Sequence, residues 1–130
     1  MVKYLTKEWL EAGMNAINAD PEIREAAKNL TAIFQHVVIE VPNSAENIYF
    51  TSEYEKGIVT RMKMENHKNP TYKLTAKYED WKQFHSGKLN FIDFVWKGKL
   101  KVEGKFPQDI NIPKLIEKLS KIIANIPTEF

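Results

Sequence analysis

Cysteine is absent from the 130 residues. That excludes disulfides, cysteine-based metal sites and a thiol nucleophile. Arginine is nearly absent: of 19 basic residues only Arg24 and Arg61 are arginine, and the rest are lysine. Nucleic-acid readers lean on the planar arginine fork for phosphate and guanine, so no nucleic-acid partner is expected. A net charge of +2 is too small to imply a polyanion by itself. The five glycines are scattered, and none opens a helix after a strand, which removes a phosphate-binding loop. No apolar run approaches the roughly 18 residues of a membrane span, and the opening MVKYLTKEWL lacks a signal-peptide core. A cytoplasmic protein is the expectation.

What is present suits one domain over residues 1–130, with an apolar share of 43% to build a core. Thr6 and Asp20 sit where helix caps belong, and Pro21 fits a first helical position. Trp9, Leu10, Met14 and Ile17 form the first apolar stripe, with Gly13 on the same side allowing close approach. Residues 31–41, 47–54, 58–64 and 72–78 alternate as strands. Residues 31–41 are apolar on both faces, which predicts cover on both sides in the middle. Ile58, Thr60, Met62 and Met64 are expected on one face of the third strand. Leu115, Leu119, Ile122, Ile123 and Ile126 give the last helix a continuous stripe.

The chain is organised around residues 78–104, YEDWKQFHSGKLNFIDFVWKGKLKVEG. Trp81, Phe84 and His85 recur at helical spacing before Gly87. Asn90 caps a second short helix with Asp93 as return partner, and Gly98 stops it. Lys97, Lys99 and Lys101 then alternate with Gly98, Leu100 and Val102, which predicts a half-buried strand.

The stretch resembles the signature of the sterol carrier protein type 2 domain family. The likeness rests on Gly87-Lys88-Leu89, a short apolar helix, and Gly98-Lys99-Leu100-Lys101-Val102-Glu103-Gly104. It implies an α+β domain: a five-stranded, mainly antiparallel sheet with helices covering one face and enclosing an apolar tunnel. It also implies a ligand that is a fatty acid, fatty acyl-CoA or sterol-like molecule.

Candidates for chemistry are few. His36, His67 and His85 each stand alone, and Ser86 does not face His85. The expected reading of His36 is an interior, hydrogen-bonded histidine, and of His67 a solvated loop residue. No catalytic residue, metal site or cofactor is expected. Lys97, Lys99, Lys101 and Lys105 are either the solvated side of a strand or a rim for an anionic head group. By pattern alone the aromatic cluster describes an ordinary core; the resemblance implies a cavity wall. On that footing the tunnel lining is Phe84, Leu89, Phe91, Phe94, Val95, Leu100, Val102, Leu119, Ile122 and Ile123. The expected function is non-catalytic lipid carriage. The alternatives are an accessory domain presenting acyl-CoA to a partner enzyme, and a small acyl-CoA hydrolase or isomerase. A transient membrane contact is also compatible.

Overall fold

The computed structural model describes residues 1–130. The chain runs β1 (Val2–Lys3), α1 (Lys7–Asn18), α2 (Pro21–Ala26), β2 (Ala32–Ile39), β3 (Ile48–Glu55), β4 (Ile58–Lys63) and β5 (Tyr72–Lys77). It continues through α3 (Tyr78–His85), α4 (Phe91–Trp96), β6 (Lys101–Glu103), α5 (Ile112–Ala124) and β7 (Thr128–Glu129). The fold is α+β. Five strands form one sheet in the order β4-β3-β2-β5-β6. Only the β2–β5 pair is parallel; β2–β3, β3–β4 and β5–β6 are antiparallel. The parallel pair arises because β5 returns beside β2 after the β3–β4 hairpin. A second, minimal sheet pairs β1 with β7 in parallel.

Local chemistry sets the helix starts. Thr6 Oγ1 accepts from the Trp9 amide at 3.3 Å, Asp20 Oδ1 from Glu22 and Ile23, and Asn90 Oδ1 from Asp93 at 2.8 Å. Each satisfies an amide that the helix itself leaves free. Gly13 fits its expected use. A Cβ there would stand 3.3 Å from Ile123 Cδ1, so the missing side chain lets α1 lie close to α5.

Helices lie over one face of the sheet. The other face is covered in its middle by the loop after β4. Gln35 is 1% exposed there; its amide nitrogen donates to the Glu65 carbonyl and its oxygen accepts from the His67 amide. This explains the two-sided burial of β2. It also makes residues 65–67 a structural cover.

Two strand expectations change. In β4, Val59 is buried opposite Tyr54 and Met62 stands opposite Ser52, while Ile58 is 44% exposed. A bulge between Glu53 and Tyr54 inserts one residue and exchanges the faces midway. The last strand is shorter than the lysine alternation predicts. Gly98 adopts φ +69°, and the amides of Lys99 and Leu100 both donate to the Phe94 carbonyl. Those amides close the end of α4, so Lys97 to Leu100 cannot join the sheet, and β6 begins only at Lys101.

Candidate functional site

The core does not close completely. Between the sheet and α5 lies a cavity of about 110 Å³. Its floor is the helix-facing side of the sheet: Phe34 and His36 from β2, Phe50, Ser52 and Tyr54 from β3, Met62 from β4 and Leu74 from β5. Strand register brings these together, since His36 stands opposite both Phe50 and Leu74. The walls are Trp9 and Ile17 of α1, Leu30 of the following loop, Trp81, Phe84 and His85 of α3, Phe91 and Phe94 of α4, and Leu100. The roof is α5, through Ile112, Leu115, Ile116, Leu119, Ser120 and Ile123. That helix packs chiefly on α1, α2, α3 and α4.

Of the 22 lining residues 18 are hydrophobic and none is lysine, arginine or a carboxylate. The polar ones are His36, Ser52, His85 and Ser120. His36 Nε2 lies 3.3 Å from Ser52 Oγ, and Tyr4 Oη shares a 2.6 Å hydrogen bond with His85 Nδ1. Both imidazoles are held neutral. Burial pushes His36 down from 6.5 to about 3. Burial does the same to His85, with the His36 charge as a second cause. His36 keeps some accessible surface although it sits deep beneath the helices; that surface is cavity wall.

The residues expected to line a tunnel divide. Phe84, Phe91, Phe94, Leu100, Leu119 and Ile123 line the cavity. Leu89 is buried in the core away from it, and Val102 and Ile122 are partly buried against the core. Val95 is 38% exposed, because Phe91 and Phe94 already occupy the inward side of the short helix. The lysines differ in setting. Lys97 is exposed in the turn after α4, Lys99 pairs with Asp80 at 3.5 Å, and Lys101 is exposed on β6.

The whole sheet floor escapes a reading of the C-terminal half. Alternation places Phe50, Ser52 and Tyr54 on one side of β3, but only register shows that this side meets His36. In sequence the serine next to a histidine, Ser86, does not face it, whereas the sheet brings Ser52 within reach of His36.

A family model covers residues 14–111 of this sequence, that of the SCP-2 sterol transfer family. The chain belongs to the SCP-2 sterol transfer family. The match takes in the sheet and four of the five helices wholly or in part, and stops at the threshold of α5. Members are in general non-catalytic carriers that bind and transfer lipid.

Solved structures show the same fold. A crystal structure of sterol carrier protein 2 superposes with a TM-score of 0.81 at 16% identity, over 95% of this chain and 98% of that one. A conserved hypothetical protein from Thermus thermophilus, described as possibly a sterol carrier protein, gives 0.80 at 15% identity, over 99% and 93%. The UbiJ-SCP2 ubiquinone synthesis protein gives 0.60 at 13% identity, over 90% and 92%. No curated protein matches the chain by sequence. In this SCP-2 chain no helix is long and apolar enough to cross a membrane.

Proposed function

We propose that this chain is a cytoplasmic, non-catalytic carrier of a single apolar ligand: a fatty acid, a fatty acyl-CoA or a sterol-like molecule. The observation that carries this reading is the cavity itself, apolar in 18 of its 22 residues and roofed by one helix. Each CH₂ moved from water into such a space contributes about 0.8 kcal/mol, and ordering costs reduce the sum to a reversible affinity. The cavity is smaller than the roughly 300–1,000 Å³ of ordinary ligand pockets. A long ligand therefore enters by lifting α5, which packs chiefly on the other helices. Phe84, Phe91, Phe94, Leu100, Leu119 and Ile123 then become ligand contacts.

The enzyme alternative has one specific observation, the contact of Ser52 with His36. It is poor machinery. A general base works best with a pKa near the operating pH, and burial holds His36 near 3. No carboxylate orients the imidazole, whose Nδ1 has no partner. Purified protein incubated with palmitoyl-CoA is expected to release a bound fluorescent fatty acid and leave the thioester intact. Thioester loss above the buffer rate, abolished by Ser52→Ala or His36→Phe, would overturn the carrier reading.

Delivery of cargo has its own observation. Ile92, Val95 and Trp96 share the outer face of α4 at 51%, 38% and 85% exposure, with Lys88 and Lys97 exposed beside them. The inner face of the same helix lines the cavity. An apolar, lysine-flanked surface at that place suits brief contact with a membrane surface or with a partner enzyme that takes presented acyl-CoA. Trp96→Gln is expected to slow transfer of a fluorescent fatty acid to anionic vesicles while leaving its affinity unaltered. Equal transfer rates for both proteins would remove the patch from the transfer step.

A further inference from the structure

One corner of the cavity differs from the rest of its wall. His36 lies flat on Phe50, ring centroids 4.2 Å apart and planes 7° from parallel. Trp9 meets Phe50 edge-on at 5.8 Å and His85 at 5.0 Å. All four rings line the cavity, as does Ser52. Two polar atoms here have no hydrogen-bond partner: Trp9 Nε1 and His36 Nδ1. Trp9 is 3% exposed. The third large ring of the corner, Trp81, is fully satisfied, since its Nε1 donates to the Val37 carbonyl at 3.0 Å. Buried polar atoms are almost always paired, so two orphans on rings that line one cavity ask for an occupant.

Their chemistry specifies it. An indole N–H can only donate, so the occupant must accept. A neutral imidazole has one donor and one acceptor nitrogen. With Nε2 engaged by the Ser52 hydroxyl, Nδ1 meets a group that donates or one that accepts, according to its tautomer. A hydroxyl offers both a donor and an acceptor, and a carbonyl can accept from either atom. A carboxylate can accept as well, but none of the 22 lining residues is a lysine or arginine to compensate its charge.

We propose that this corner is a subsite for a neutral oxygen function, an alcohol hydroxyl or a ketone carbonyl, at the leading end of the apolar ligand. The inference rests on the carrier reading and sharpens it. The cargo enters oxygen first, with its hydrocarbon along Phe84, Phe94 and Leu119. A free fatty acid would have to keep its carboxylate outside and leave the corner unmatched. Burial supports the choice, because imidazoles that resist protonation offer no countercharge.

Competition against a fluorescent fatty acid at neutral pH tests it, with hexadecanol, hexadecane and palmitate as probes. Hexadecanol is expected to bind about tenfold or more tightly than hexadecane, the scale of one well-made hydrogen bond. In Trp9→Phe that gap is expected to narrow to within about threefold. Because Trp9 is a core residue whose replacement can prevent folding, the unaltered protein supplies a second readout. Its Trp9 indole N–H resonance is expected to move downfield with hexadecanol and not with hexadecane. Equal affinities for the two probes, with the resonance unmoved, overturn the subsite and leave the carrier standing. Palmitate binding tightest with the resonance unmoved also overturns it and places the head group at the mouth. Failure of all three probes to bind overturns the carrier reading and the subsite together.

Discussion

Acidification from about pH 7 to about pH 5 is expected to cost this fold on the order of 4 kcal/mol, through His36 and His85. Burial depresses both imidazoles from 6.5 to about 3. In the folded protein they stay neutral throughout that range, while the unfolded chain takes up a proton at each as the pH drops below 6.5. Their contribution is therefore complete above 6.5 and is lost progressively as the pH falls toward 3. At about 1.4 kcal/mol per unit, the interval from 6.5 to 5 amounts to about 2 kcal/mol for each histidine. The groups nearest to them do not offset this. Tyr4 and Tyr54 are themselves buried and their phenols are pushed up, away from ionisation. Ordinary carboxylates, with pKa values near 4, are still largely charged at pH 5, so the loss reports the imidazoles. Urea unfolding at pH 7, 6 and 5 measures it. Equal stability at the two ends, or a pH dependence unaltered in a His36→Phe, His85→Phe double variant, would show that these rings reach solvent.

The substitution Ile123→Trp is expected to lower ligand affinity more than about tenfold while the melting temperature of the empty protein holds or rises by a few degrees. Ile123 lies in the roof of the cavity and touches α1 at Gly13. The added volume of an indole is less than the cavity holds. In a closely packed position the same change overpacks and costs about 1–3 kcal/mol. The two quantities therefore move in opposite senses for a cavity and for a core. Thermal melts of ligand-free protein, read beside fatty-acid titrations, separate them. A melting temperature several degrees lower with binding intact would place the ligand elsewhere.

The legible parts of this fold are those written in neighbouring residues. Thr6, Asp20 and Asn90 announce helices because each bonds an amide two or three positions on. The aromatic pair of short helices and the stripe on α5 follow from spacing, and the α+β class from the family resemblance of residues 87–104. What stays hidden depends on partners distant in sequence. The bulge that exchanges the faces of β4 exists only opposite Glu53 and Tyr54. The lysine alternation after α4 imitates a strand, because nothing local shows that the Lys99 and Leu100 amides turn back to Phe94. The site is half legible for the same reason. Its helical wall lies in residues 84–100 and in α5, whereas the corner made by Trp9, His36, Ser52 and His85 draws on four elements that only register and packing bring together.

The smallest sheet in the molecule has a consequence for timing. Val2 donates to the Pro127 carbonyl and Tyr4 to that of Glu129, joining residues at opposite extremes of the sequence. Closing so long a loop gains little until everything between is already ordered, so this clasp is expected to form last and part first. β7 follows α5 almost directly, and parting the clasp frees the roof at the end that carries Ile123. The protection of two amides, Val2 and Tyr4, against exchange with deuterium thereby becomes a clock for how often the cavity comes open.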